Sequence, residues 1–265
     1  MTSSRFRMGF IVNPVAGLGG RPGLKGSDDA EPVKEIAAAT DPDELPAYLR
    51  SMDFLTDLIL KKGVAVAAPG PLGEQVLKKT MSCGGPIFEI SREKGWSKHV
   101  GETTAEDTKL FARRMLREEL DLLVFVGGDG TAVDVAREVG DKIPILGIPA
   151  GVKMFSGIFA ENPLVGKHLV QSLQPGFATR PVEIVDLDEE SYRSGQWNVR
   201  GLAHARVPEL PGVQAAKGGT IPTEDESLED LVTWFKEFQR PGRSYILGAG
   251  TTTAAIKASL SGGSP

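Results

Sequence analysis

Leu122-Leu123-Val124-Phe125-Val126-Gly127-Gly128-Asp129-Gly130-Thr131 decides the fold. Five apolar residues in a row show no polar alternation, as a strand covered on both faces of a parallel sheet should. A glycine-rich turn follows at once. After it Ala132, Val135, Ala136 and Val139 recur at i, i+3, i+4 and i+7, the apolar stripe of a helix. Ile143 to Ile148 then supplies the next strand. Strand, tight turn, helix and strand in that order make a βαβ unit.

The same rhythm runs upstream. Met8 to Val12 (M-G-F-I-V) reads as a first strand, followed by a glycine-rich loop from Asn13 to Gly26. Leu45, Tyr48, Leu49, Met52, Leu55 and Ile59 fall at helical spacing, with Gly63 as the stop. Val64 to Ala68 is a second strand, Leu72 to Met81 a short helix, and Pro86 to Ile90 a third strand. Thr104 opens a helix with capping-box spacing to Asp107, and Thr108, Phe111, Ala112, Met115 and Leu116 form its apolar stripe. The order predicts an α/β fold over residues 1–157: an open parallel Rossmann-like sheet with helices on both faces. Past Gly157 the rhythm changes. Pro181 to Leu187 alternates with period 2, and Trp197 to Val207 is a further strand candidate. Residues 158–243 are therefore expected to form a smaller second, β-rich domain, including a polar loop from Lys217 to Asp230 and a helix around Leu228 to Phe238. Tyr245 to Leu247 reads as a strand that returns to the first domain, so residues 244–265 are expected to rejoin it.

Composition sets the outer bounds. The chain has 265 residues, 40% hydrophobic and 25% charged, ordinary values for a folded protein. Its 30 basic and 35 acidic residues give a net charge of −5, which argues against a nucleic-acid partner held by bulk positive charge. No apolar run approaches the ~18 residues of a membrane span, and the short run after Arg7 does not read as a secretory leader. The single cysteine, Cys83, excludes an internal disulfide and a cysteine-cluster metal site. A soluble, cytoplasmic protein is the expectation.

Glycine is the outlier at 32 residues, and three glycine loops each follow an apolar strand. They are Asn13-Pro14-Val15-Ala16-Gly17-Leu18-Gly19-Gly20, then Gly127 to Thr131, then Gly147-Ile148-Pro149-Ala150-Gly151-Val152-Lys153-Met154-Phe155-Ser156-Gly157. Doubly wound sheets bind ligands at the carboxyl ends of their strands, so the three loops are expected on one edge and in one cleft. Glycine lets a backbone approach a phosphate and turn its amides toward it, and a helix start adds positive potential. Asp129 is then out of place on charge grounds, unless it binds a divalent metal or takes a proton from an attacking hydroxyl. Its plainer reading is a helix cap in a tight turn. Lys153 suits a phosphate, or is a solvated loop lysine. Thr251 and Thr252 follow Gly250 at a helix start, which suits an anion and equally a structural Ser/Thr turn.

Gly127-Gly128-Asp129-Gly130-Thr131, between its strand and its helix, resembles the GGDGT signature shared by NAD kinases, diacylglycerol kinases and phosphofructokinases. Ile11 to Gly19 resembles the N-P-x-[AS]-G-x-G opening of the lipid and sphingosine kinase branch. With K-G-S-D at Lys25 to Asp28, G-I-P-A-G-V-K-M-F-S-G and the late G-A-G-T-T-T-A-A-I, the set most resembles the ATP-NAD kinase/AcoX-like family. The resemblance covers nearly the whole chain. It implies ATP-dependent phosphorylation of NAD on the adenosine ribose 2′-hydroxyl, giving NADP. Mg2+ would accompany ATP, and polyphosphate is the other donor to weigh. Asp129 matches the catalytic acidic position that activates the acceptor hydroxyl. The nucleotide- and phosphate-binding candidates are Asn13, Gly17, Gly19, Gly127, Gly128, Gly130, Thr131, Gly151, Lys153, Thr251 and Thr252. Thr131 is expected to cap its helix as well, and no residue is assigned to a protein-held metal. The resemblance further implies small-molecule partners, no nucleic acid, no membrane, and a homo-oligomer.

Some features depart from the family. The Asn-Glu pair with which NAD kinases grip adenine and ribose has no match, because Glu161-Asn162 stands in reverse order and its role is not carried over. Val152-Lys153 stands where the lipid branch has Asn-Asp. The chain stops at Pro265, so the second domain is expected to be incomplete. Two other functions therefore stay open: a kinase of a lipid or another hydroxyl compound, and a nucleotide-binding accessory protein without turnover. His99, His168 and His204 have no partner at i+3 or i+4 and read as surface residues. Asp186, Asp188, Glu189 and Glu190 read as solvated turn charges or a cation site, and Trp96, Trp197 and Trp234 as core packing before adenine stacking.

Overall fold

The strands β1 (Arg7–Val12), β2 (Val64–Ala67), β3 (Phe88–Ile90), β4 (Leu122–Gly127) and β5 (Ile145–Pro149) form one parallel sheet in the order β3-β2-β1-β4-β5. The computed structural model describes residues 5–18, 31–60, 63–81, 88–91, 96–151, 154, 156–187, 199–213, 248 and 250–260. Residues Met1–Ala216 make one compact unit and Lys217–Pro265 a second.

In the first unit the sheet is covered by α1 (Glu31–Ala39), α2 (Pro46–Leu55), α3 (Glu74–Met81), α4 (Ala105–Met115), α5 (Asp129–Val139) and α6 (Pro163–Ser172). Side chains alternate between the two faces of a strand. Met8, Phe10, Val12, Val124 and Val126 accordingly pack into one core with residues of α1, α2, α3 and α6. Ile11, Leu123, Phe125 and Ile145 pack into the other with α4 and α5. Both cores are buried, which is why the central strands read as unbroken apolar runs. The expected α/β architecture is thus present. So is the small antiparallel sheet, made of β6 (Thr179–Leu187) and β7 (Val199–Pro208). Its Val182, Ile184, Ala203, Ala205 and Val207 share the core of α4 and α5.

The helix expected from Leu45 to Ile59 stops earlier, at Leu55. Thr56 is already extended and Asp57 has φ +59°, so the chain turns before Gly63. Leu49 and Ile59, which fall at the same helical spacing, are 46% and 62% exposed. Two helices were not legible. The first, α1, has little more than an alanine run to announce it. The second, α6, has a clear start: Asn162 Oδ1 accepts from the Val165 N–H at 2.9 Å, and Pro163 occupies the first helical position. Glu161-Asn162, the reverse of the substrate-gripping pair, is a helix start. Among the described residues no helix is long and apolar enough to cross a membrane.

The Thr104 capping box is present, and tertiary contacts extend it. The Thr104 N–H and hydroxyl both donate to Asp107 Oδ2 at 2.9 Å, and Lys98 Nζ reaches the same oxygen at 2.7 Å. Trp96 Nε1 donates to Asp107 Oδ1 at 2.9 Å while its ring packs edge-on against Phe111. Trp96 is therefore a half-buried residue packed against the core; Trp197 and Trp234 lie outside the described residues. Burial alone would raise the Asp107 carboxyl, but hydrogen bonds from Lys98, Trp96 and Thr104 outweigh it and hold the group below its ordinary value. A depressed carboxyl contributes stability above its unfolded value, and that stability is lost as pH falls through the folded value. Asp107→Asn is expected to cost about 1.5–3 kcal/mol at neutral pH, the worth of hydrogen bonds to a charged group. The cost should shrink below about pH 3.9, where the unfolded carboxyl takes up its proton before the folded one does. Denaturant titrations of both proteins at pH 7 and pH 3 check this.

The second unit contains the helix α7 (Thr251–Leu260). The Thr253 hydroxyl donates to the carbonyls of Gly248 and Gly250 at 2.9 and 3.0 Å, and Lys257 Nζ donates to Gly248 at 3.2 Å.

Candidate active site

In a parallel sheet all strands end at one edge, and here that edge gathers the three loops. Val12 pairs with Val126, and Gly127 with Pro149, so Asn13, Gly128 and Ala150 leave the sheet side by side. The backbone stitches them together: Asn13 N–H donates to Val126 O at 2.9 Å, and Ala150 N–H to Gly127 O at 3.0 Å. Side chains add to this. Asn13 Nδ2 donates to Thr131 Oγ1 at 3.0 Å, and Asn13 Oδ1 accepts from the Val15 N–H at 3.3 Å. Gly17 has φ +86°, and a Cβ there would sit 2.6 Å from the Ala150 carbonyl oxygen. The first loop thus presses against both others.

Gly17→Ala is expected to cost about 1–3 kcal/mol, the usual scale for a side chain forced into sparsely populated backbone, with the carbonyl collision added. A chemical-denaturation midpoint compared with wild type measures it.

The helix start differs from expectation in one respect. α5 begins at Asp129, and Gly128 is its N-cap. Thr131 therefore does not cap the helix but sits in its first turn, buried, with its hydroxyl accepting from Asn13. Asp129 is not the cap either. It is the first helical residue, and its Oδ1 accepts the Ser156 N–H at 3.0 Å. A carboxylate in the first turn gains from the helix dipole, so Asp129 is stable there without a ligand.

The two leading glycines do different things. A Cβ on Gly127 would lie 2.5 Å from Thr131 Cβ, so Gly127 is bare to seat the threonine. A Cβ on Gly128 would meet nothing within 4 Å, and its backbone is extended, with φ −114° and ψ −170°. Gly128 is therefore unstrained, and its hydrogen faces open space at the helix start. Gly130 follows in the same turn and is exposed. Gly147, counted as part of the third loop, lies inside β5 against Phe159, and the loop proper begins at Ala150 and Gly151.

Asn13, Gly17, Gly127, Gly128, Asp129, Gly130, Thr131 and Gly151 are thus brought to one edge of the first unit. Gly19 and Lys153 lie outside the described residues. Thr251 and Thr252 open α7 in the second unit. Sequence reading missed Ser156. Its contribution is a backbone N–H, which leaves no trace in side-chain pattern. The segment that carries it is held by β5, where Gly147 N–H donates to Ile158 O and Ala160 N–H to Gly147 O, each at 2.9 Å.

Residues 8–176 match the ATP-NAD kinase N-terminal domain, and the chain belongs to that family. It is a phosphotransferase of NAD phosphorylation, with NAD and a nucleotide as substrates. No curated protein matches the chain.

Proposed function

We propose that the protein transfers the γ-phosphoryl group of ATP to the adenosine ribose 2′-hydroxyl of NAD, giving NADP and ADP. The observation that carries this reading is the Asp129 carboxylate at the first residue of α5, fixed by the Ser156 amide at 3.0 Å and flanked by Gly128 and Gly130. The amides of that first turn hold the phosphates, because a helix start offers unpaired N–H groups and positive potential. Gly128 lets a phosphate oxygen come close. Asn13, Gly17, Gly127, Thr131 and Gly151 build the loops around it, and Lys153 and Gly19 are further candidates for the nucleotide; Thr251 and Thr252, in the second unit, are separate candidates for an anion at the start of their own helix.

In the reaction the 2′-oxygen attacks the γ-phosphorus in line with the leaving ADP oxygen. Its proton goes to Asp129, and the bond from phosphorus to the bridging oxygen breaks. Among the described residues no group of three His, Cys, Asp or Glu side chains is placed to hold a metal. One carboxylate beside a phosphate seat is nonetheless the donor set Mg2+ takes when most of its ligands are phosphate and water. Mg2+ would thus sit on the nucleotide within reach of Asp129 and offset the charge of the transferring group.

Purified protein incubated with NAD, Mg2+ and either ATP or polyphosphate should form NADP with ATP as donor. NADP from polyphosphate alone would reassign the donor. Retained ATP binding with no NADP from either donor would point to an accessory protein, and phosphorylation of diacylglycerol in place of NAD to a lipid kinase.

A further inference from the structure

We infer that Asn13 is a positioning residue that sets the seat of Asp129 through Thr131, in place of the nucleotide contact its motif suggests. The inference rests on the proposed reading of the site and deepens it. Asn13 is 8% exposed, and its N–H, carbonyl, Oδ1 and Nδ2 are all engaged within the protein, the carbonyl accepting from the Ala16 N–H at 3.1 Å. Its N–H donates to the last apolar residue of β4, Val126; its Oδ1 accepts from Val15 of its own loop; its Nδ2 donates to Thr131 Oγ1 at 3.0 Å. Thr131 is 4% exposed and sits over Gly127, whose missing Cβ would otherwise lie 2.5 Å from the threonine Cβ. The end of β1, the end of β4 and the first turn of α5 therefore meet in a single joint. Asp129 stands two residues before Thr131 in that turn, with its carboxylate accepting from the Ser156 amide. If the Asn13–Thr131 bond is lost, the turn is free to shift relative to Ser156, and the base shifts with it.

A misplacement of ~1 Å at a reacting group can cost ~10²-fold in rate. Here the backbone hydrogen bonds of α5 and the Ser156 amide remain, so a smaller loss is expected. The test is a double-mutant cycle of Asn13→Ala and Thr131→Val, read as kcat and as KM for ATP. Each single variant should lower kcat about 10-fold with KM for ATP changed less than about 3-fold, and the double variant should be no worse than either single one. Thr131→Ser, which keeps the hydroxyl in the same space, should recover most of what Thr131→Val loses. Multiplying losses in the double variant would overturn the inference. So would a rise in KM for ATP confined to Asn13→Ala, or a Thr131→Ser protein as impaired as Thr131→Val. If the alanine and valine variants do not fold, Thr131→Ser against wild type decides alone: a 10-fold loss of kcat in it would refute the joint. Wild-type turnover is measured first. A wild type that makes no NADP defeats the functional reading, and the cycle is then read in melting temperature, where additive shifts still defeat the joint.

Discussion

Asp129→Asn is expected to lower kcat by at least ~10²-fold, the low end of what a positioned acid or base contributes. The substitution is sharp because the geometry survives it. An asparagine retains the oxygen that accepts the Ser156 N–H, so the side chain stays in place. What disappears is the charge and the ability to take the proton of the 2′-hydroxyl. Apparent affinity for NAD should change much less than turnover. KM for ATP should hold or fall, since a negative charge beside the phosphates has been removed. The fold should lose no more than ~1 kcal/mol, the worth of a carboxylate at a helix start. Steady-state kinetics with a thermal melt of the same sample test all of this together. Near-wild-type turnover would make Asp129 a structural residue of α5 and remove the catalytic assignment.

Gly128→Val should abolish nucleotide binding in a protein that still folds. The N-cap backbone of Gly128 is extended, and an added Cβ meets no protein atom within 4 Å. Valine tolerates that backbone, and the penalty is a poorer N-cap, about 1 kcal/mol. Its branched side chain nevertheless fills the space a phosphate oxygen needs. Losing one or two hydrogen bonds to a charged oxygen corresponds to about 10²-fold or more in affinity. Gly127→Val gives the opposite pattern: it drives methyl groups into Thr131 and unfolds the turn. Titration calorimetry with ATP separates the two variants. A folded Gly128→Val protein that binds ATP as wild type does would move the phosphate seat elsewhere.

These two glycines also mark where sequence reading reached its limit. In the chain both read as phosphate-loop glycines, neighbours of one type. In space one is the floor under a threonine and the other faces open space. Asp129 was legible as a residue out of place in an anion loop, and the proposed role as proton acceptor rests on that chemistry. Its partner, the Ser156 amide, was not legible, because a backbone donor looks the same at every position. Glu161-Asn162 shows the reverse case. An Asn followed by Pro163 is a readable helix start, and Glu161 takes no part in that cap.

The sequence by itself determined the five parallel strands, most of the helices between them and the edge on which the glycine loops gather. Those properties follow from local periodicity, and from the rule that parallel strands share one carboxyl end. Only the tertiary structure decided what each loop residue does once there. Whether a glycine is needed depends on atoms that come from elsewhere in the chain: the Ala150 carbonyl over Gly17, the Thr131 side chain over Gly127, open space at Gly128. Whether Asn13 touches a ligand or braces a helix depends likewise on Thr131, more than a hundred residues away in sequence and 3.0 Å away in space. Hydrogen bonds and steric contacts act over a few ångströms, so their partners are set by the packing of the sheet and its helices and not by spacing along the chain.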